Sequence, residues 1–132
     1  TEAEKDTLLK EVEEREKLDK IFEEVSTWGE MLFIKNTPEF IIEIKVNVAM
    51  PKKAHGFLNF SGKSGFLGGH LKEDAIAKIG FASTKFMGLL GRSLHFYDSE
   101  NNIIFKLYVS RDDKMKLNEV QEQKFLALKN SF

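Results

Sequence analysis

Residues 39–48, EFIIEIKVNV, restrict the fold of this chain more than any other stretch. In extended backbone, Phe40, Ile42, Ile44, Val46 and Val48 share one face, and Glu43, Lys45 and Asn47 share the other. A period of two does not sit on a helix surface, so the middle of the chain must build sheet with one face turned to a core. The same reading holds for SLHFYD (93–98) and NIIFKLYV (102–109), which form the clearest hairpin, joined by a Ser-Glu-Asn-Asn turn. HGFLNF is expected to pair with GFLGGHL across SGKSG, whose glycines permit positive φ. EMLFIKN reads as a strand before the Pro38 turn, Pro51 and the two lysines after it as a loop, and AIAKIGFAS as a further strand. KFMGLLGR, with two glycines, reads as irregular.

At both ends the period lengthens. Residues 7–25, TLLKEVEEREKLDKIFEEV, predict a helix with Leu18, Ile21, Phe22 and Val25 on one apolar face. Leu8, Leu9 and Val12 make an earlier apolar patch on it, and Trp28-Gly29 ends the pattern. Leu117, Phe125, Leu128 and Phe132 set one face of a closing helix on the sheet. Helix, about seven strands and helix make an α+β fold: a large antiparallel sheet flanked by N- and C-terminal helices. The 132 residues are expected to form one domain, 1–132, large enough to need no metal or disulfide staple.

The net charge of −1 hides an asymmetry. Residues 1–30 carry 11 acidic and 5 basic side chains, whereas residues 45–92 carry 8 basic and 2 acidic. A basic middle raises the local concentration of an anionic ligand, although a solvated lysine-rich face has the same composition. No nucleic acid partner is expected, because the basic residues are scattered, the pI is near 6.3 and no binding motif is present. No apolar run approaches the ~20 residues that span a bilayer, so no membrane insertion is expected. The acidic first residues lack the pattern of a signal peptide, and the absence of cysteine fits a reducing, cytoplasmic setting.

Little of the sequence suggests catalysis. There is no cysteine nucleophile and no GxSxG elbow. SGKSG lacks the spacing of a phosphate loop, and Asp112-Asp113 without further ligands read as turn residues. His55, His70 and His95 are too dispersed for a zinc motif, and each alone reads as a hydrogen-bonded or surface histidine. His95 is expected on the opposite strand face from Leu94 and Phe96, and His55 at the opening of a strand. Twelve phenylalanines, against two tyrosines and one tryptophan, bring apolar area without a polar atom to satisfy. They serve a core first, and a slot for a flat ligand second.

Taken in order, Trp28-Gly29, HGFLNF (55–60), GHLKED (69–74), KFMG (85–88), SLHFYD, IIFKLYV and SRDD (110–113) resemble the HutX/ChuX-type family of cytosolic haem-utilisation proteins. The resemblance runs over residues 18–130. It implies an intracellular, cytoplasmic protein that binds haem as cargo and passes it to a membrane haem transporter or a haem-degrading enzyme. It also implies a homodimer whose subunit is like one half of the larger HemS/ChuS-type haem-trafficking and haem-degrading proteins, while the sequence itself offers no separate catalytic set.

The resemblance further implies a ligand set. Relatives often carry histidine where this chain has Asn36, and an amide is a poor iron ligand beside imidazole. His70 does match a family histidine and becomes the candidate ligand for haem iron. Phe66 shares its strand face if alternation holds, and Gly68 and Gly69 let a flat ligand approach the backbone. Lys72, Lys85 and Arg92 are the candidates for the propionates, and Phe86 and Met87 for the pocket wall or the core. Two other functions fit the same resemblance: a haem-degrading enzyme, and a haem-independent interaction domain that kept the fold.

Overall fold

The alternating segments pair into two antiparallel sheets, and the two amphipathic segments cover one face of the larger. The structure, a computed structural model, describes residues 7–13, 15–86 and 89–132. In chain order these form β1 (Thr7–Val12), α1 (Arg15–Val25), β2 (Glu30–Asn36), β3 (Ile41–Asn47), β4 (Lys52–Ala54) and β5 (Phe57–Ser61). There follow β6 (Gly68–Lys72), β7 (Lys78–Phe86), β8 (Leu89–Tyr97), β9 (Ile103–Tyr108) and α2 (Glu119–Asn130). The large sheet has the order β1-β7-β8-β9-β2-β3 and the small one β4-β5-β6. The α+β architecture expected from the sequence is therefore the one observed.

Phenylalanine builds the core. Phe96 stacks on Phe105 at 4.3 Å between centroids, Phe105 on Phe33 at 5.2 Å, and Phe22 of α1 meets Phe96 at 5.6 Å. Phe125 of α2 lies edge-on to Phe81 at 5.3 Å, so both helices cover the same face of the large sheet. Phe22 also reaches Phe60 of β5 at 6.0 Å, which ties the small sheet into the same core. Burying each such ring contributes about 1.5–3 kcal/mol. The predicted face of α1 is buried in full, at Leu18, Ile21, Phe22 and Val25. On α2, Phe125 and Leu128 are buried, and the Asn118 side chain caps the first turn by accepting from the Gln121 N–H at 3.0 Å.

Three segments depart from the sequence reading. Residues 7–12 are not the first turns of a helix but the edge strand β1, paired with β7 from Thr7↔Ser83 to Val12↔Ile79. A register shift between Leu8 and Lys10 makes a bulge, so an apolar spacing that resembled a helix belongs to a kinked strand. Lys52–Ala54, expected as loop, pairs with β5. The irregular KFMGLLGR instead carries the end of β7 and the start of β8, paired through Lys85↔Leu90 and Phe86↔Leu89. The strand count among the described residues is nine. None of these residues forms a helix long and apolar enough to cross a membrane.

Candidate functional site

HGFLNF and GFLGGHL pair as expected, and their register decides what surrounds His70. Phe57 lies opposite Lys72, Leu58 opposite Leu71, Asn59 opposite His70, and Phe60 opposite Gly69. Alternation therefore splits the small sheet. Leu58 and Phe60 are buried and Leu71 packs beside them on the core face. Phe57, Asn59, His70, Lys72 and, from β4, Lys52 share the outer face.

His70 is exposed there, yet its ring is held. Its Nδ1 lies 2.8 Å from the Asn59 side-chain oxygen. The Phe57 ring stands edge-on to it at 6.4 Å. Among the described residues no hydrogen bond engages Nε2. The preceding residue, Gly69, pairs with Phe60 and so belongs to the other face; it has φ +137°, and a Cβ there would meet nothing within 4 Å. At Gly68 the reverse holds, since a Cβ would come to 2.7 Å from the Gly62 Cα. That pair of glycines closes the base of the loop between β5 and β6.

The other candidate residues are spread more widely. Phe66 stands outside β6, in a parallel bridge with Asn47 at the end of β3, so strand alternation does not relate it to His70. Lys72 is exposed on the His70 face, two residues along β6. Arg92 is turned to α2 instead, where its Nε donates to the Glu122 carboxylate at 3.0 Å. Lys85 and Phe86 hold backbone positions at the end of β7; their side chains, and Met87, lie outside the described residues. Asn36 ends β2 in the large sheet. It lines a shallow cavity of about 70 Å³ with Ile34, Ile103, Ile104, Phe105 and Lys106.

The remaining histidines have structural settings. His95 is buried, with Nε2 at 2.9 Å from the Ser93 hydroxyl, on the face of β8 opposite Leu94 and Phe96. His55 does not open a strand; it sits exposed in the turn between β4 and β5 with φ +56°. No cluster of three or more metal-ligating side chains occurs among the described residues.

Of the residues on this face, the sequence singled out His70 and Lys72 as candidates but not Phe57, Asn59 or Lys52. Pairing of the two segments was legible, and it required some β5 residue to face His70. Which one depends on register, and a shift of one residue exchanges the two faces. The assembled surface is an open platform: an anchored imidazole with one free nitrogen and two ammonium groups on the same face. It suits a flat, anionic ligand that carries a metal.

The sequence pattern of haem utilisation ChuX/HutX proteins matches residues 12–128. Over 108 residues the chain is 32% identical to the intracellular heme transport protein HutX of Vibrio cholerae, covering 82% of this chain and 56% of that protein. The chain thus spans little more than half of that relative's length. The heme binding protein ChuX superposes with a TM-score of 0.80 at 27% identity, over 92% of this chain and 75% of its own. ChuS, an E. coli heme oxygenase, superposes with a TM-score of 0.66 at 17% identity, over 89% of this chain and 36% of ChuS. That last likeness shows the fold alone: this chain matches a part of the larger protein. The chain belongs to the haem utilisation ChuX/HutX family.

Proposed function

We propose that this chain is a cytoplasmic haem carrier, which binds haem on the outer face of the β4-β5-β6 sheet and releases it to a membrane transporter or a haem-degrading enzyme. The observation that carries this reading is the exposed His70 ring with its Nε2 free, in a chain whose family is that of haem utilisation. Bound haem supplies an iron that accepts an axial nitrogen donor and two propionates that seek cations. His70 offers the donor, and Lys72 and Lys52 stand on the same face.

An open platform covers only one side of a porphyrin. The chain acts as one domain, and a second copy supplies the remaining cover in a homodimer. Phe40, Ile41 and Ile44 favour this, since they are 64%, 59% and 46% exposed at or beside the edge strand β3 and gain from leaving water. Carriage rather than degradation is the better reading, because the relatives at 27–32% identity are named for heme binding and transport.

Titration of the protein with haemin, followed at the Soret band for wild type and His70→Ala, tests the reading. Saturable binding that is weakened or spectrally altered in the variant is expected. Absence of specific binding by folded wild type at micromolar haemin would sink it. Incubating the complex with ascorbate and catalase separates carrier from enzyme: a stable Soret band is expected, and tetrapyrrole cleavage would reverse that assignment.

A further inference from the structure

Asn59 is held in one orientation by its own amide nitrogen. Its Nδ2 faces three backbone carbonyls, donating to those of Lys52 at 3.0 Å, Ala54 at 3.3 Å and Phe57 at 3.3 Å. Rotating the amide by half a turn would set its oxygen against three other oxygens, so the donors point into the β4–β5 ladder and Oδ1 points across to β6. There it lies 2.8 Å from His70 Nδ1. An amide oxygen only accepts, so the proton of the bond belongs to the imidazole. Neutral His70 is therefore the Nδ1–H tautomer, and its lone pair sits on the outward Nε2.

From this geometry we infer that Asn59 is a positioning residue for haem, fixing the tautomer and ring direction of His70 so that Nε2 is the iron-facing donor. The inference rests on the haem reading above and names the residue that prepares its ligand. The chain of control runs through three contacts. The β4 and β5 carbonyls orient Asn59, Asn59 orients the imidazole, and the Phe57 ring lies beside it at 6.4 Å between centroids. A hydrogen bond from the far ring nitrogen to a neutral acceptor also raises the basicity of the ligating one. A histidine free in water favours the other tautomer, with the proton on Nε2, so without Asn59 the ring must move its proton before it can ligate.

The test begins without haem. Nitrogen-15 NMR of the His70 ring at alkaline pH, where an imidazole is neutral, reads the tautomer directly in wild type, Asn59→Leu and Asn59→Gln. Expected are the Nδ1–H form in wild type, a shift toward Nε2–H in Asn59→Leu, and retention of Nδ1–H in Asn59→Gln, which keeps an amide donor for the β4 and β5 carbonyls and an acceptor for the ring. In the haemin titration Asn59→Leu then binds about 10-fold more weakly, and Asn59→Gln recovers affinity. Should Asn59→Leu fail to fold, the wild-type tautomer and its retention in Asn59→Gln decide the matter. An Nε2–H ring in wild type, or an unchanged tautomer in Asn59→Leu, overturns the role of Asn59 even when haem binds. Equal haem affinity and spectra in wild type and His70→Ala overturn the inference through its premise, and leave the tautomer result standing as a separate observation.

Discussion

The side chain of Gln121 on α2 donates to the backbone carbonyl of Trp28, 93 residues earlier in the chain, at 2.8 Å. The same amide nitrogen reaches the Glu30 carbonyl at 2.7 Å, and its oxygen accepts from the Ser110 N–H at 2.9 Å and hydroxyl at 3.0 Å. One buried amide thus joins the closing helix to the turn after α1, the start of β2 and the segment that follows β9. Gln121→Leu leaves those backbone groups without their partner in the interior. A loss of about 1–3 kcal/mol is expected in chemical denaturation. An unchanged midpoint would mean that water replaces the amide at no cost.

Gly62 and Gly68 make the second sharp prediction. A methyl group on Gly68 meets backbone at 2.7 Å, which has no rotamer by which to yield. Gly68→Ala is expected to cost about 1–3 kcal/mol and to raise amide hydrogen exchange across residues 57–72 more than in the large sheet. Uniform exchange changes, or none, would show that the loop base relaxes freely.

Asp98 gives a pH dependence of known sign. Its carboxylate accepts from the Asn102 N–H at 2.8 Å and the Glu100 N–H at 2.9 Å, in the turn between β8 and β9. The Asn102 bond leads in holding its pKa below the ordinary 3.8. A folded value below the unfolded one means stability that is present above pH ~4 and lost as pH falls through the folded value. Thermal unfolding of wild type should lose more between pH 5 and 3 than that of Asp98→Asn. Parallel curves would refute the assignment.

Lys72 and Lys52 predict the electrostatics of the proposed haem face. Reversing either charge, in Lys72→Glu or Lys52→Glu, should weaken haemin binding about tenfold at low salt, and less at high salt. Arg92→Gln, which breaks a bond to Glu122 rather than changing that face, should leave haemin affinity near wild type while lowering thermal stability. Loss of affinity in Arg92→Gln alone would move the propionate site toward α2.

Sequence by itself determined which segments form strands. EFIIEIKVNV, SLHFYD and NIIFKLYV form sheet because period-two backbone sets alternate residues on one side, although on the expected apolar face of the first only Val46 and Val48 are buried while Phe40 and Ile44 stay exposed. The buried faces of α1 and α2 followed in the same way from spacings of three and four. His70 stood out as a candidate because the resemblance runs through GHLKED, and the Phe-rich composition announced the ring-stacked core.

What tertiary structure decided were matters of partner and register. Leu8, Leu9 and Val12 suit a helix or a kinked strand equally, and the free edge of β7 selected the strand. Arg92 and Lys72 are both cations in a basic region, but Glu122 on a distant helix claimed one and left the other on the His70 face. Asn59 carries no motif at all. Its place opposite His70 arises only when β5 and β6 pair in one register, because a single-residue shift would turn the asparagine to the core and bring an apolar side chain to the imidazole.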